Sequence, residues 1–107
     1  MTIEFTGRHT TITAKLKQQA EAGLARIDRV ANRCVKAHVI LTEDKYRHIA
    51  ELSVTCRGDI LVARCESTAM EVALHDALQR VEQQAIRHKQ RYETVRSHPK
   101  PIAIPSL

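Results

Sequence analysis

Three consecutive stretches between residues 35 and 67 alternate apolar and polar side chains, and this pattern constrains the fold more than any other. They read VKAHVILTE, HIAELSVTCR and ILVARCES. A period of two is typical of strands that bury one face and expose the other. Short polar turns, EDK and Gly58-Asp59, separate them, so we predict three strands in an antiparallel meander. The positions assigned to the core in the first two strands are Val35, Ala37, Val39, Leu41, Ala50, Leu52, Val54 and Cys56.

Two longer segments have helical periodicity instead. Apolar residues recur every three or four positions in residues 13–33 and again in residues 68–92, as in amphipathic helices. Thr13 is a suitable N-cap for the first helix, and Ser67 or Thr68 for the second. Gly23 lies inside the first helix, where it costs up to about 1 kcal/mol relative to Ala.

The N-terminal stretch TIEFTGR is interpreted as a first strand. It reaches the meander through a helix and should therefore lie parallel to its neighbour. Because each helix has one apolar stripe, we predict an α+β fold with the order β-α-β-β-β-α, in which two helices pack on one face of a four-stranded mixed sheet. Residues 1–92 form this domain, and residues 93–107, which carry all three prolines, are expected to be a disordered tail.

The charge balance suits a polyanionic partner, provided that the excess charge is clustered. Seventeen Lys and Arg residues against twelve Asp and Glu residues give a formal net charge of +5 at pH 7, which favours nucleic acid. Spread evenly over the surface, the same excess would be functionally silent. Composition alone leaves that alternative open.

On helical wheels, the charges of both helices are sorted by sign. The basic flank of the first helix consists of Lys15, Arg26, Arg29 and Arg33, and that of the second consists of Arg80, Arg87 and Arg91. Lys17 lies apart, near the other border of the apolar stripe. Two adjacent flanks could line one continuous groove or ridge whose arginines bind phosphates. Because neither flank contains an aromatic residue, a folded RNA is a better target than a loose strand.

The sequence resembles a known family in four places. The opening IEFTGRH, the helix start ITAKL and the strand HVIL resemble the short ribosome hibernation promoting factors, also called ribosome-associated translation inhibitors or sigma-54 modulation proteins. The most specific match is MEVALHDALQRVEQQAIRHK, which is similar to the family's second-helix signature, M-x-x-A-I/L-D-x-L-x-K/R-L/V-E-x-Q-x-x-K/R-H-K. His75 stands where that signature has Asp. The resemblance covers about residues 2–92.

This resemblance implies a domain that binds the small ribosomal subunit, through its ribosomal RNA, where messenger and transfer RNA pass. Such a domain would inhibit translation by occupying that path and would preserve idle ribosomes. The positions that match family RNA contacts are Lys17, Arg26, Arg33, Arg80, Arg87, Lys89 and Arg91. Gly23 and Gln83 stand where relatives often have a basic residue. On the wheel, Lys89 falls on the side of Glu82, away from the basic flank.

Long members of this family carry a separate C-terminal dimerisation domain that has no counterpart here. We therefore expect the free protein to be monomeric. Any pairing of ribosomes would have to come from the ribosome's own response or from another factor.

Catalytic and metal-binding patterns are not expected. The six histidines lack HxH or HExxH spacing, and there is no glycine-rich phosphate loop or nucleophile elbow. We predict no enzymatic activity, no cofactor, no metal site and no small-molecule substrate. Cys34, Cys56 and Cys65 lie in apolar stretches without CxxC spacing and are interpreted as small core residues, not as a disulfide framework. No signal peptide or apolar run of about 18 residues suggests a membrane, so a cytoplasmic protein is expected.

A second hypothesis is a protein-interaction module that modulates a sigma factor or another transcription partner. It would use an apolar patch on the uncovered sheet face, where Ile40, Ile49, Ile60 and Val62 are expected to be exposed. His88 also leaves two alternatives, packing against the sheet or contact with RNA, and packing is favoured.

Overall fold

Four strands and two helices make up the described part of the chain. The computed structural model describes residues 1–31, 33–56 and 59–97, with side chains through Arg87. The elements are β1 (Thr2–Arg8), α1 (Ala14–Ala31), β2 (Cys34–Asp44), β3 (Arg47–Cys56), β4 (Asp59–Ser67) and α2 (Met70–Ser97). Their order confirms the predicted β-α-β-β-β-α arrangement.

The sheet has the strand order β1-β2-β3-β4, so β1 and β4 form its two edges. β1 runs parallel to β2, whereas β3 is antiparallel to both β2 and β4. A parallel pair cannot be joined by a tight turn, and α1 supplies the connection. The β2–β3 hairpin closes through Lys45 and Tyr46, with Lys45 at a φ of 57°. The mixed sheet of the predicted α+β fold is therefore confirmed.

One face of the sheet holds the core. Alternate residues of β2 and β3 are buried in one cluster with the apolar stripes of both helices, among them Leu24 and Ile27 of α1 and Leu74 and Val81 of α2. Each fully buried Leu, Ile or Val contributes roughly 1.5–3 kcal/mol. The opposite face, called the open face here, displays the intervening residues. On β2, β3 and β4 these are Lys36, His38, Ile40, Thr42, Ile49, Glu51, Ser53, Thr55, Ile60, Val62, Arg64 and Glu66.

Side-chain hydrogen bonds fix both ends of α1. Thr13 Oγ1 accepts a hydrogen bond of 3.2 Å from the backbone N–H of Leu16, which confirms the predicted N-cap. Beyond the last turn, Asp28 Oδ1 accepts a hydrogen bond of 3.1 Å from the backbone N–H of Cys34. The helix is thereby tied to the first residue of β2.

α2 begins without a side-chain cap among the described residues. Its first helical residue is Met70, and the backbone N–H of Ala73 donates to the carbonyl of Ala69 at 3.0 Å. Ala69 therefore occupies the N-cap position, and the prediction that Ser67 or Thr68 would cap this helix is wrong.

The other end of α2 is at Ser97, beyond the predicted boundary at Tyr92. Residues 93–97 contain no Gly or Pro to interrupt the helix. Pro99 disfavours a helical conformation in the residue before it, so a stop near this point follows from sequence. Residues 98–107 lie outside the described residues, and the prediction of a disordered tail stays a prediction there.

A β-bulge corrects the predicted core of β2. The register between β2 and β3 shifts between Cys34 and Lys36, so that Cys34 lies opposite Cys56. Cys34 is buried, whereas Val35 is 64% exposed. The assignment of Val35 to the core is therefore wrong, because an inserted residue turns its side chain to the other face.

The three cysteines are buried as predicted, but two of them are bonded. Cys34 and Cys56 form a disulfide between directly opposed residues whose Cα atoms are 4.1 Å apart. Cys65 is buried and free. The interpretation of all three as unlinked core residues is therefore wrong for Cys34 and Cys56. The β-bulge places these two residues opposite each other, and a bulge cannot be inferred from cysteine spacing alone.

Gly23 lies against Leu78 of α2. A Cβ atom at this position would come within 2.7 Å of Leu78 Cδ1 and 2.9 Å of Leu78 Cδ2. The missing side chain therefore lets α2 pack closely against α1 at this point. Whether a phosphate contact is lost at position 23 stays a prediction.

Candidate nucleic-acid interface

Three exposed cations on α1 and just after it have no partner in the described part of the chain. Lys15, Arg29 and Arg33 are exposed, and none of them has a hydrogen bond or ion pair among the described residues. Arg33 follows the helix with a φ of 108°. Unpaired guanidinium and ammonium groups can donate all their hydrogen bonds to phosphate oxygens. These three residues and Arg26 are called the helix-1 basic surface.

Arg26 lies on the side of α1 that faces α2, and it is paired there. Its Nη2 is 3.5 Å from Glu82 Oε1. On the same side, Gln19 Nε2 donates a hydrogen bond of 2.8 Å to the carbonyl of Glu71. The flank that α2 turns toward α1 is therefore its acidic flank. Because the Arg26 side chain is still 56% exposed, this ion pair is weak and easily exchanged for another anion.

Lys17 lies on the opposite side of α1. Its ammonium is 5.8 Å from the centre of the Phe5 ring on β1, within the range of a cation–π contact. The residue is thus separated from the helix-1 basic surface, as its place on the wheel predicts.

α2 presents its basic flank on the side away from α1. Gln84 Nε2 donates a hydrogen bond of 2.7 Å to the carbonyl of Val62, which places this flank over the β4 edge of the sheet. Arg80 and Arg87 lie one turn on either side of Gln84. Both are exposed and unpaired among the described residues. They are called the helix-2 basic surface.

The molecule therefore has two basic surfaces with an acidic flank between them. Between Arg26 and Glu82 the acidic flank of α2, and not its basic flank, meets α1, because helical wheels give the sorting of charge on each helix but not how the helices are rotated against each other. A single groove or ridge that joins the two basic flanks stays a prediction. The side chains of His88, Lys89 and Arg91 lie outside the described residues. What they contact stays a prediction.

The apolar patch expected on the open face is smaller than predicted. Ile60 and Val62 are 59% and 56% exposed. Ile40 is half-buried, and Ile49 is only 6% exposed. The prediction of an exposed Ile49 is wrong, because its cross-strand neighbour Glu66 forms an ion pair with Arg47 of the same face. Glu66 lies directly opposite Ile49 on β4 and Arg47 lies two residues before it on β3, so we attribute the burial of Ile49 to the aliphatic parts of these two neighbours.

Within residues 1–31, 33–56 and 59–97, no group of three or more His, Cys, Asp or Glu side chains is arranged to hold a metal ion. Over the same residues, neither helix combines the length and the apolar character needed to cross a bilayer.

Comparison with protein families gives a match over nearly the whole described domain. Residues 3–93 match the family described as "Sigma 54 modulation protein / S30EA ribosomal protein". The chain belongs to this family. It is a family of ribosomal and regulatory factors and not of enzymes, as the sequence predicts.

Individual relatives agree with this placement. A ribosome hibernation promoting factor of Azotobacter vinelandii is 25% identical over 91 residues, which is 85% of each chain. Another from Salmonella typhimurium is 25% identical over 89 residues and covers 83% of this chain and 94% of the relative.

Solved structures show the same fold. A ribosomal subunit interface protein from Coxiella burnetii superposes with a TM-score of 0.77 at 26% identity, over 84% of this chain and 99% of that one. The N-terminal domain of Protein Y from Thermus thermophilus gives a TM-score of 0.74 at 29% identity, over 81% and 98% of the two chains.

Proposed function

We propose that this protein binds the small ribosomal subunit on the path of messenger and transfer RNA, and that it inhibits translation by occupying that path. Relatives named ribosome hibernation promoting factor support the ribosome as partner. The observation that carries the proposal is a set of exposed cations on or next to the two helices that have no partner among the described residues: Lys15, Arg29, Arg33, Arg80 and Arg87. The protein would act in the cytoplasm, in resting or stressed cells where idle ribosomes accumulate.

The proposed mechanism is competition for space and for phosphates. No covalent bond is made or broken. Arginines of each surface bind backbone phosphates, and the folded domain excludes other RNA from the same volume. Because Glu71 and Glu82 separate the two basic surfaces, each surface would contact its own segment of ribosomal RNA. Lys17, Arg26, Lys89 and Arg91 remain candidate additional contacts.

Co-sedimentation with vacant ribosomes tests this proposal. If the five unpaired cations each neutralise one phosphate, affinity should fall by roughly three to five powers of ten for a tenfold rise in salt concentration. The double variant Arg80→Glu, Arg87→Glu should lose co-sedimentation. Its melting temperature should stay unchanged, because both side chains are exposed and unpaired.

A matched control has the same change of charge on the open face. The double variant Arg8→Glu, Lys36→Glu alters two exposed residues of β1 and β2 and should still bind ribosomes. Equal loss in both double variants would mean that net charge, and not the helix-2 basic surface, governs binding. Nearly flat salt dependence of ribosome binding would also contradict the proposal.

Addition of the protein to a cell-free translation reaction tests inhibition directly. The unmodified protein should inhibit translation, and the Arg80→Glu, Arg87→Glu variant should not.

The alternative of a transcription partner rests on the exposed residues Ile60 and Val62. If the double variant Ile60→Ser, Val62→Ser abolished cellular function while the helix-2 double variant kept it, the protein-interaction hypothesis would replace the RNA-binding one. The burial of Ile49 weakens that alternative, since it removes one of the four predicted patch residues.

A further inference from the structure

A cavity of about 410 Å³ lies where the open face of the sheet meets the outer flank of α2. Its walls include His38, Ile40, Glu51, Ser53 and Val62 from the sheet and Arg80 from α2. Ligand sites in proteins are typically clefts of about 300–1,000 Å³ with apolar walls and a few convergent polar groups. The size and the lining of this cavity both fit that description.

Two aliphatic side chains stand on either side of the cavity. Ile40 belongs to β2 and Val62 to β4, and β3 runs between them. The two strands are thus two inter-strand spacings of about 4.8 Å apart. A flat ring inserted between Ile40 and Val62 would present its edge to the side chains that rise from β3.

Two polar side chains that rise from β3 have no partner within the described residues. Glu51 is half-buried and has no hydrogen bond or ion pair among the described residues. Arg64 lies directly opposite it but is paired with Glu66 at 3.3 Å. Ser53 is likewise half-buried and unpaired in this part of the chain. A carboxylate only accepts hydrogen bonds, so the ligand edge that faces Glu51 must carry N–H or O–H donors.

Arg80 lines the cavity from α2. It has no acidic partner in the described part of the chain, and its neighbour Gln84 is occupied by the carbonyl of Val62. Because β4 lies between Glu51 on β3 and α2, which packs along β4, Arg80 and Glu51 belong to different sides of that strand, more than one strand spacing of about 4.8 Å apart. An α-amino acid carries its ammonium and carboxylate on one carbon and is too short to reach both Glu51 and Arg80. A ring with a donor edge and a distant phosphate has the required length.

We propose that this cavity binds a single guanine nucleotide. The base lies between Ile40 and Val62, Glu51 accepts hydrogen bonds from the N1–H and the N2 amino group, and Arg80 binds the phosphate. Guanine places two adjacent N–H donors on its Watson–Crick edge, which one carboxylate can accept together, whereas adenine has a single amino group there. The ligand is either a free nucleotide or an unstacked guanosine of an RNA strand, since both offer the same chemistry. The inference goes beyond ribosome binding and does not depend on it.

Titration of the full chain with GMP, AMP and guanosine tests this site by calorimetry and by amide NMR shifts at Ser53 and Val62. GMP should bind saturably and at least about tenfold more tightly than AMP, as a bidentate contact to the base predicts. Glu51→Gln should remove this preference. Arg80→Gln should weaken binding of GMP but leave guanosine unchanged, because guanosine has no phosphate.

Two matched variants away from the cavity serve as controls. Glu21→Gln changes an exposed carboxylate on α1, and Arg8→Gln changes an exposed cation at the opposite edge of the sheet. Both should bind GMP like the unmodified protein. The proposal is overturned if GMP does not bind saturably at millimolar concentrations, if AMP binds equally well, or if Glu21→Gln and Glu51→Gln weaken GMP alike.

Short RNAs distinguish the two sources of the nucleotide. If UUGUU binds more tightly than GMP and UUAUU does not, the ligand is an unstacked guanosine of an RNA. Tighter binding of GMP identifies a free nucleotide, and both results uphold the site. Ribosome co-sedimentation of Glu51→Gln is measured separately. Loss of ribosome binding in the single variant Arg87→Glu, which leaves Arg80 and Glu51 in place, concerns the proposed function alone. Loss of the GMP preference in Glu51→Gln concerns this site alone.

Discussion

α1 and α2 pack on the same face of one sheet, but they are held in different ways. Side-chain hydrogen bonds of Thr13 and Asp28 fix α1 at both ends. α2 starts without such a cap and continues to Ser97. α1 turns basic residues toward its neighbour, whereas α2 turns acidic ones, as the Arg26–Glu82 pair shows. Amphipathic sequence determines which charges share a flank, and packing determines which flanks meet.

Loss of the Cys34–Cys56 disulfide, which lies next to the C-terminal end of α1, should have the largest effect on stability. Cys34 and Cys56 are 22 positions apart, and opening a loop of this length should cost about 3 kcal/mol in the free energy of unfolding. Urea denaturation with and without reductant measures the difference. The Cys65→Ala variant should still lose stability on reduction, whereas the Cys34→Ala, Cys56→Ala variant should not respond. Equal responses of these two variants would refute a stabilising disulfide.

The contact between the helices should be the next most sensitive feature. Gly23→Leu forces a side chain into the space of Leu78 and should lower the free energy of unfolding by about 2 kcal/mol. Leu78→Ala should restore part of that loss when the two are combined. The control Ala22→Leu alters the neighbouring exposed residue and should change stability little. Similar losses for positions 22 and 23 would argue against a close approach at Gly23.

The N-cap of α1, which α2 lacks among the described residues, should have a smaller effect on stability. Thr13→Ala should cost about 1 kcal/mol, because the N–H of Leu16 loses its acceptor. Thr68→Ala should cost much less, since no cap forms at the start of α2. Thermal melting of the two variants in parallel measures this contrast. Equal destabilisation would mean that the two helix starts are held alike.

The ion pair between Arg26 of α1 and Glu82 of α2 should contribute least to stability. Glu82→Gln should change the free energy of unfolding by less than about 1 kcal/mol, because Arg26 is mostly exposed. Freed from Glu82, Arg26 should raise ribosome affinity by roughly twofold to fivefold at low salt. Glu21→Gln removes the same charge from the opposite flank of α1 and should have a smaller effect. Equal gains would point to net charge in place of this pair.

The regular elements could be predicted from sequence because each has a period of its own. Alternation identified the buried residues Ala37, Val39 and Leu52, and the helical stripes identified the rest of the core. Val35 and Ile49 were misassigned for physical reasons that alternation does not contain. A bulge turns the Val35 side chain outward. Ile49 lies beside an ion pair between Arg47 of its own strand and Glu66 of the adjacent strand.

The candidate site was predictable only as separate pieces. Sequence placed Arg80 and Arg87 on one flank and Arg29 and Arg33 on another, but their relation depends on how Gly23 and Leu78 pack. No sequence pattern marks Glu51 and Ser53 as site residues. They become candidates only because the strand register places them on β3, between Ile40 of β2 and Val62 of β4.

The hydrogen bond from Gln84 to Val62 has a consequence for self-association. An outer strand with open carbonyl groups is a template on which a second chain can pair and begin an aggregate. The amide of Gln84 occupies one of these carbonyls in the middle of β4, and the nearby charges of Arg80 and Arg87 repel an identical molecule. The occupied carbonyl and these charges should together keep the protein dispersed at high concentration.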